Sequence, residues 1–508
     1  MGSIVSGVSR RQLLLGASLV ALVPGQAAWS STRKPPNIVF LLADDLGYAD
    51  VSCYGRPEYK TPNIDSLAEH GLRFMQAYAN SAVCSATRTG LITGRYQNRL
   101  PIGLEEPLGL RDLGLPPSHP TLPSLLKKVG YQTALIGKWH LGNPPKYGPL
   151  LSGYDHFWGF HGGGSDYFQH IKPTSDLWDD DKRDPEPGYL TDLIGDHSIK
   201  FLDQFAKTGR PFFLSVHFNS PHWPWEGPDD EKESERISGR RGGALAADSG
   251  SQKVFGAMVT RMDFQIGRIL DALKARGLDG ETIVIFTSDN GGERYSDTWP
   301  FTGKKTELLE GGLRIPAIIR WPGHAPAGKA TEQVMISMDW LPTLLEAAGG
   351  APDPAYPPDG FTMIPAITEG AASKPRTLCW RYLNLDQEAC RDGDFKYLKI
   401  LENTYLFNVV DDPQERANLK DRMPELYAKL VAEYRAWDAK MLPLDPNSST
   451  WGFSAREAAD HFGMEKNRMT KLGPGPRPPG ASPGPPKPPG AAPAGPPAPT
   501  PAAAKPSP

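Results

Sequence analysis

The stretch NIVFLLADD, residues 37–45, decides the fold class of this 508-residue chain. An unbroken apolar run follows Asn37 and ends in two acidic residues, Asp44 and Asp45. A strand with one wet face would alternate apolar and polar residues, so this run indicates a parallel strand covered on both faces. Ligands of an open parallel sheet bind beyond the carboxyl ends of its strands. The acidic pair is therefore predicted to stand at a binding site.

Strand and helix patterns alternate along most of the chain. Residues 121–142 combine a helix, a glycine, a strand and a loop; helices are predicted over 61–79 and 254–278, and further strands within 211–222, 281–292 and 316–323. This alternation is typical of βαβ units, so we predict an α/β fold with a large, mainly parallel sheet flanked by helices. From about Arg376 shorter runs between turn residues predict a smaller C-terminal antiparallel sheet plus a helix.

Both ends of the chain differ from this body. Residues 1–30 carry an arginine pair, a short apolar run and small residues, which predicts a signal peptide of the twin-arginine type; an ordinary secretory signal is the alternative. Residues 463–508 are rich in Pro, Gly and Ala and are predicted to be a disordered tail. The body then divides into a large domain over 31–375 and a C-terminal subdomain over 376–462. We expect a periplasmic or secreted protein.

The composition excludes several classes of partner. A net charge of −3 gives no electrostatic reason to expect nucleic acid, and no apolar run in the mature chain is long enough to span a membrane. Of the four cysteines, Cys379 and Cys390 could form a disulfide in an oxidising compartment, which leaves Cys53 and Cys84. The sequence contains no CxxC motif, which argues against a structural zinc site.

Two pairs of oxygen-bearing side chains follow predicted buried strands. Asp44 and Asp45 end one strand, and Asp289 and Asn290 end another. Carboxylate and amide oxygens suit a hard cation such as Ca²⁺ or Mg²⁺. Turn or capping roles are the alternative for either pair alone, but two such pairs on one sheet edge favour a metal site.

Basic and donor side chains are predicted to join this edge. Arg88 lies one helical turn after Cys84, so both can face one pocket. The others are Lys138, His140, His222 and a lysine of GKKTELLEGGLRIP, residues 303–316. A hard cation with several basic groups suits an anionic sulfate or phosphate. Cys84 is the candidate nucleophile at the centre.

Five motifs occur in a fixed order along the chain: CSATRTGLITGR, GKWHLG, SPHWP, SDNGG and GKKTELLEGGLRIP. This set resembles the signature of the type I sulfatases, formylglycine-dependent enzymes of the alkaline-phosphatase-like superfamily. The resemblance runs from Asn37 to DDPQERANL, residues 411–419. It implies that 31–375 is a sulfatase catalytic domain. It also implies that a formylglycine-generating maturation enzyme oxidises Cys84 to formylglycine (3-oxoalanine), an aldehyde that hydrates to a diol.

The resemblance also implies a role for each candidate residue. One Ca²⁺ per chain would be held by Asp44, Asp45, Asp289 and Asn290. A hydroxyl of the residue-84 diol would attack sulfur, giving a covalent sulfate ester. Lys138 and Lys305 would stabilise the sulfate oxygens, and His222 and Lys305 would protonate or neutralise the leaving alcohol. Arg88 would orient the hydrate, and His140 would assist its second hydroxyl in expelling sulfate. Lys305 is chosen over Lys304 because it stands five residues before Glu310, the family spacing.

Two positions depart from the family pattern. Ala86 stands where proline is commonest, so the sequence does not identify the maturation enzyme that acts on Cys84. Leu309 stands where a tyrosine is usual, which we interpret as a packing difference.

We expect a sulfuric ester hydrolase that acts on an aryl or sugar sulfate monoester. One alternative is a phosphonate monoester or phosphodiester hydrolase with the same modified nucleophile. Another is a sulfoglycan-binding relic in which Cys84 stays a thiol, but the intact catalytic set argues against it. A two-zinc phosphatase would need further His and Asp ligands. Loops 160–188 and 223–250 are expected to carry the substrate specificity, although their sequence does not name the substrate.

Overall fold

The computed structural model describes residues 34–109, 111–170, 176–238, 250–370 and 373–452. The predicted signal peptide (1–30) and Pro-rich tail (463–508) lie outside these residues. Within the described part of the chain no helix combines the length and the apolar character that a membrane span requires.

The strands, in chain order, are β1 (Asn37–Ala43), β2 (Leu72–Phe74), β3 (Ala77–Tyr78), β4 (Gln132–Lys138), β5 (His156–Phe160), β6 (Leu177–Asp179), β7 (Lys182–Arg183), β8 (Phe212–His217), β9 (Thr282–Ser288), β10 (Ala317–Arg320), β11 (Lys329–Thr331), β12 (Met335–Ile336), β13 (Thr377–Tyr382), β14 (Gln387–Asp392), β15 (Phe395–Ile400) and β16 (Asn403–Asn408). The α-helices are α1 (Pro62–Glu69), α2 (Cys84–Thr93), α3 (Leu122–Lys128), α4 (Leu190–Thr208), α5 (Glu231–Ser238), α6 (Gln252–Ala275), α7 (Glu310–Leu313), α8 (Trp340–Ala347), α9 (Ile364–Thr368) and α10 (Pro424–Asp438).

Ten strands form the large sheet, in the order β11-β2-β10-β9-β1-β8-β4-β5-β6-β7. Its central strands β9, β1, β8, β4 and β5 are mutually parallel, with β1 between β8 and β9. β10 and β6 flank this block in antiparallel orientation. The predicted α/β fold with a mainly parallel sheet is confirmed, and its parallel part is the centre.

The apolar run that opens the sheet is covered on both faces. Every residue of β1 is buried. On one face Leu41 belongs to a core that includes Met258 of α6 and Ile194 of α4. On the other face Phe40 belongs to a core that includes Trp340 of α8. This double burial explains why the strand shows no polar alternation.

One helix prediction is too long. The helix that begins near Thr61 ends at Glu69, and the following residues form β2 and β3. β2 pairs with both β10 and β11, so its backbone hydrogen bonds go to the sheet and local helical spacing is overridden. The sequence also predicted no element at α4 or β5, which the structure contains.

The C-terminal part forms the predicted small sheet. Strands β13 to β16 are antiparallel in sequence order, and α10 packs against β14 and β15. Cys379 and Cys390 lie directly opposite each other in β13 and β14 and form the expected disulfide. Cys53 and Cys84 are free.

Buried charges join this small sheet to the large domain. Glu310 of α7 lies 2.9 Å from Lys396 of β15 and 2.7 Å from Arg314. Gln387 of β14 accepts a hydrogen bond from the Leu308 amide and donates one to a carbonyl of the same loop. The loop that carries Lys305 is therefore fixed from the C-terminal side.

Candidate active site

The ends of three parallel strands and the loop after a fourth meet at one edge of the large sheet. β1 leads into Asp44 and Asp45, β9 leads into Asp289 and Asn290, and β4 ends at Lys138. The loop after β8 returns to this edge, where the Asp44 amide donates to the Ser220 carbonyl at 3.2 Å. All ten predicted site residues are buried side chains of this region: Asp44, Asp45, Cys84, Arg88, Lys138, His140, His222, Asp289, Asn290 and Lys305.

Cys84 is the first residue of α2, a helix buried along its whole length. Its Sγ lies 3.3 Å from Nδ1 of His140. Ligand atoms of Asp44, Cys84 and Asp289 lie within 4.8 Å of one another. The amino-terminal end of a helix carries a partial positive charge, so residue 84 stands where an anion is favoured.

Arg88 lies one turn farther along α2 and turns to the same site. It donates two hydrogen bonds to Asp289 Oδ2, at 3.0 and 2.8 Å, and its guanidinium is 3.6 Å from Asp44 Oδ1. Its position is fixed between these carboxylates. The helical spacing therefore brings Cys84 and Arg88 to one pocket, as the sequence indicated.

Asp45, Asp289 and Asn290 form one hydrogen-bonded group. The Asp45 amide donates to Asp289 Oδ1 at 3.2 Å, and Asn290 donates its side-chain N–H to Asp45 Oδ1 at 2.8 Å. Two buried oxygens, Asp44 Oδ1 and Asn290 Oδ1, have no hydrogen-bond partner among the described residues. Buried oxygens in this state are costly unless a cation satisfies them. This donor set fits a hard, oxygen-binding metal ion.

Two lysines neutralise the paired aspartates. Lys138 donates to Asp44 Oδ2 at 2.7 Å, and Lys305 donates to Asp45 Oδ2 at 2.6 Å. Burial opposes ionisation of Asp45, but Lys305 and His222 outweigh it and hold the pKa of Asp45 below its usual range. Burial dominates at Asp44 and raises its pKa despite Lys138.

The two histidines present defined nitrogens to the site. His140 Nε2 lies 3.0 Å from the Leu108 carbonyl and must donate to it, which leaves Nδ1 of the neutral ring as an acceptor facing Cys84. Burial and the charge of Lys138 lower the pKa of His140, so the ring stays neutral. His222 donates from Nδ1 to the Trp223 carbonyl at 2.6 Å and turns Nε2 to Asp45, 3.6 Å away.

The sulfatase family model matches residues 36–351, more than half of the chain. The chain belongs to the sulfatase family. N-acetylgalactosamine-6-sulfatase of Sus scrofa is 31% identical over 399 residues, which covers 72% of this chain and 71% of that protein. Arylsulfatase A of Homo sapiens is 33% identical over 414 residues, which covers 74% of this chain and 77% of that protein.

Solved structures agree with this assignment. Ps i-CgsB, whose crystal structure contains k-i-k-neocarrahexaose, is 29% identical with a TM-score of 0.72, and the match covers 81% of this chain and 94% of that one. The protein is therefore a sulfuric ester hydrolase.

Backbone strain marks three positions of the sulfatase site. Asp45, His140 and Thr306 have φ values of 61°, 56° and 74°, in the left-handed region that non-glycine residues seldom adopt. Each stands at or beside a predicted site residue. Such conformations persist where the surrounding packing fixes them, and they concentrate at functional sites.

His217 is a site-adjacent residue that the sequence analysis missed. It is the last residue of β8, and its Nδ1 lies 3.2 Å from an Arg88 amino group and 3.1 Å from the Lys138 carbonyl. Burial and the neighbouring charge of Arg88 lower its pKa, so a neutral ring lies between the Arg88 guanidinium and the Lys138 main chain. A histidine inside an otherwise buried apolar strand is the signal that could have identified it.

Two glycines of the run HGGGSD, within loop 160–188, pack against the site histidines. A Cβ on Gly163 would lie 2.6 Å from Cε1 of His140, and one on Gly164 would lie 2.9 Å from Cε1 of His222. The backbone of this loop therefore lies so close to both rings that only glycine fits at these two positions. A run of three glycines before a polar pair was visible in the sequence, but nothing there linked it to the histidines.

Proposed function

We propose that this sulfatase hydrolyses sulfate monoesters of sugars, with a formylglycine formed from Cys84 and a bound Ca²⁺. The observation that carries the proposal is the pair formed by Cys84 Sγ and the acceptor nitrogen of a neutral His140, 3.3 Å apart beside the carboxylates. Burial raises the pKa of Cys84, so an unmodified residue 84 would stay a protonated thiol and a weak nucleophile.

The metal would be held by Asp44, Asp45, Asp289 and Asn290. Support comes from their oxygen-only chemistry and from the two buried oxygens without partners among the described residues. A bound Ca²⁺ would supply positive charge to the sulfate oxygens of the substrate. Lys138 and Lys305 already balance two of the carboxylates, so metal binding would leave the site with surplus positive charge for an anionic ester.

The hydrate of formylglycine would supply two hydroxyls, one to attack sulfur and one whose deprotonation allows sulfate to leave. His140 would accept that proton at Nδ1, since its Nε2 is engaged with the Leu108 carbonyl. Arg88 holds Asp289 beside residue 84 and would orient the hydrate.

Other side chains of the site would bind the sulfate group and protonate the leaving alcohol. Lys138 and Lys305 would bind the sulfate oxygens, and His222 or Lys305 would deliver a proton to the leaving oxygen. His222 has Nδ1 committed to a backbone carbonyl, so it would act as the acid only when the ring is protonated at both nitrogens, with the proton on Nε2 passing to the leaving oxygen.

We propose a sugar sulfate as the physiological substrate because one relative is named N-acetylgalactosamine-6-sulfatase and one neighbour was crystallised with k-i-k-neocarrahexaose. An aryl sulfate serves as a surrogate.

Export to a periplasmic or extracellular compartment is supported by the Cys379–Cys390 disulfide, a bond typical of oxidising compartments. If export follows the twin-arginine route, the maturation enzyme must act before it, on the unfolded chain in the cytoplasm.

The test is a comparison of two esters on protein co-expressed with a formylglycine-generating enzyme. We expect turnover of 4-nitrophenyl sulfate and of N-acetylgalactosamine 6-sulfate, and much slower turnover of a phenylphosphonate monoester. The Cys84→Ala variant should bind metal but show no turnover. A higher kcat/KM for the phosphonate than for both sulfates would favour the alternative function.

A further inference from the structure

A small cleft opens beside the catalytic groups. It is lined by Val83, Pro107, Trp223, Glu293, Lys305, Thr306 and Trp451. Val83 directly precedes Cys84, and Lys305 is one of the lysines proposed to bind the sulfate oxygens. A sulfate ester placed at residue 84 would therefore bring its alcohol part next to this cleft.

Two indole rings form one wall of the cleft. The ring centroids of Trp223 and Trp451 lie 5.7 Å apart in an edge-to-face arrangement. Trp451 is 38% exposed, whereas Val83, Lys305 and Thr306 of the same cleft are buried. Tryptophan offers a large, rigid apolar face at a low cost in side-chain entropy.

The backbone of Trp451 is fixed from both the large domain and the small C-terminal sheet. Its amide donates to the Glu106 carbonyl at 2.6 Å, and its carbonyl accepts from the Tyr382 hydroxyl at 2.8 Å. We call residues 445–452 the C-terminal strap. The strap is held further by two buried glutamates: the Ser449 amide donates to Glu105 and the Thr450 hydroxyl donates to Glu106.

The segment that holds the strap also supports the catalytic groups. Two residues after Glu106, the Leu108 amide donates to the Ser85 hydroxyl at 2.6 Å. The Leu108 carbonyl accepts from His140 Nε2 at 3.0 Å. One short segment thus fixes the position of Trp451 relative to residue 84 and its histidine.

We propose that Trp451, together with Trp223, binds the ring of the leaving alcohol, which makes the strap a specificity-determining part of the active site. The proposal rests on the proposed function, because it takes residue 84 as the point of attack. The ligand chemistry is a ring with an apolar face, from either an aryl group or a pyranose. Glu293, a half-buried residue that also lines the cleft, would accept a hydrogen bond from a hydroxyl of a pyranose and offers nothing to an unsubstituted aryl ring.

The test distinguishes binding of the ring from binding of the sulfate group. Kinetics of the Trp451→Ala and Trp451→Phe variants are measured with 4-nitrophenyl sulfate and N-acetylgalactosamine 6-sulfate, and inorganic sulfate is measured as a competitive inhibitor. We expect Trp451→Ala to raise KM for a ring-bearing ester about tenfold, with a smaller rise for Trp451→Phe. The inhibition constant of inorganic sulfate should change by less than about twofold, because sulfate does not reach the indoles.

Phe264→Ala is the matched control, since Phe264 is an exposed aromatic residue of α6 and does not line the cleft.

A larger rise in KM for the sugar ester than for the aryl ester would identify the pyranose as the ring, and the reverse would identify the aryl group. An unchanged KM for both esters would overturn the proposal. So would an equal loss of affinity for inorganic sulfate, which is the result of a merely structural strap. If Trp451→Ala does not fold, an unchanged KM in Trp451→Phe overturns it as well. Wild-type protein that turns over neither ester would instead contradict the proposed function.

Discussion

Substituting Gly163 by alanine should damage catalysis through a single methyl group. The added Cβ would lie 2.6 Å from Cε1 and 2.7 Å from Nε2 of His140. Carbon atoms in favourable contact are about 3.5–4.0 Å apart, so the ring or the loop must shift by roughly 1 Å. The ring has little freedom, because Leu108 holds one nitrogen at 3.0 Å and Cys84 Sγ lies 3.3 Å from the other.

The magnitude follows from that shift. A misplacement of about 1 Å at a reacting group can cost on the order of 10²-fold in rate, about 2.7 kcal/mol in activation free energy. Overpacking of this kind costs about 1–3 kcal/mol in folding stability. We therefore expect Gly163→Ala to fold, to melt a few degrees lower, and to lose about 100-fold in kcat/KM toward 4-nitrophenyl sulfate.

The neighbouring glycine provides a matched control. A Cβ on Gly162 would meet its nearest atom, Asp176 Oδ2, at 3.4 Å, which is ordinary contact. Gly162→Ala should therefore retain kcat/KM within about threefold. The assay is steady-state kinetics with melting temperature and converted formylglycine fraction measured on each variant. Equal activity of the two variants would refute the argument that Gly163 positions His140.

Two further predictions concern the metal and the tail. Asp289→Ala should lower both the calcium content and the melting temperature, because it removes a metal oxygen and the partner of Arg88; metal analysis of active protein with stoichiometric zinc and no calcium would contradict the assignment. Deletion of the residues after about Lys471 should leave melting temperature and activity nearly unchanged, because that composition cannot form a core; a large loss of stability would show that the tail packs on the body.

The parts of the fold that were predictable are those decided by local burial. The β1 run and the strand before Asp289 are covered on both faces, and their sequences show it. The segment after Glu69 was predicted wrongly as helix because its strand conformation depends on partners more than two hundred residues away, in β10 and β11. Long-range pairing of this kind leaves no periodic signal in the segment itself.

The residues of the candidate site also divide into those that local sequence reveals and those that long-range contacts decide. Charged and oxygen-bearing side chains at strand ends could be predicted, because parallel strands bring their carboxyl ends to one edge. Gly163 could not be predicted, because glycine has no reactive side chain. Its importance lies in how closely the loop approaches His140. Trp451 could not be predicted, because the strap is held at the cleft by long-range hydrogen bonds, among them those to Glu105 and Glu106.

The most direct test of the account is the chemical state of residue 84 in active protein. The peptide spanning Ala82–Arg88 is analysed by mass spectrometry and by labelling with a carbonyl reagent, in preparations that differ in the extent of maturation. The account predicts a peptide lighter than encoded that reacts as an aldehyde, with activity proportional to the converted fraction and none in Cys84→Ala. Full activity in protein whose Cys84 is entirely an alkylatable thiol would contradict it.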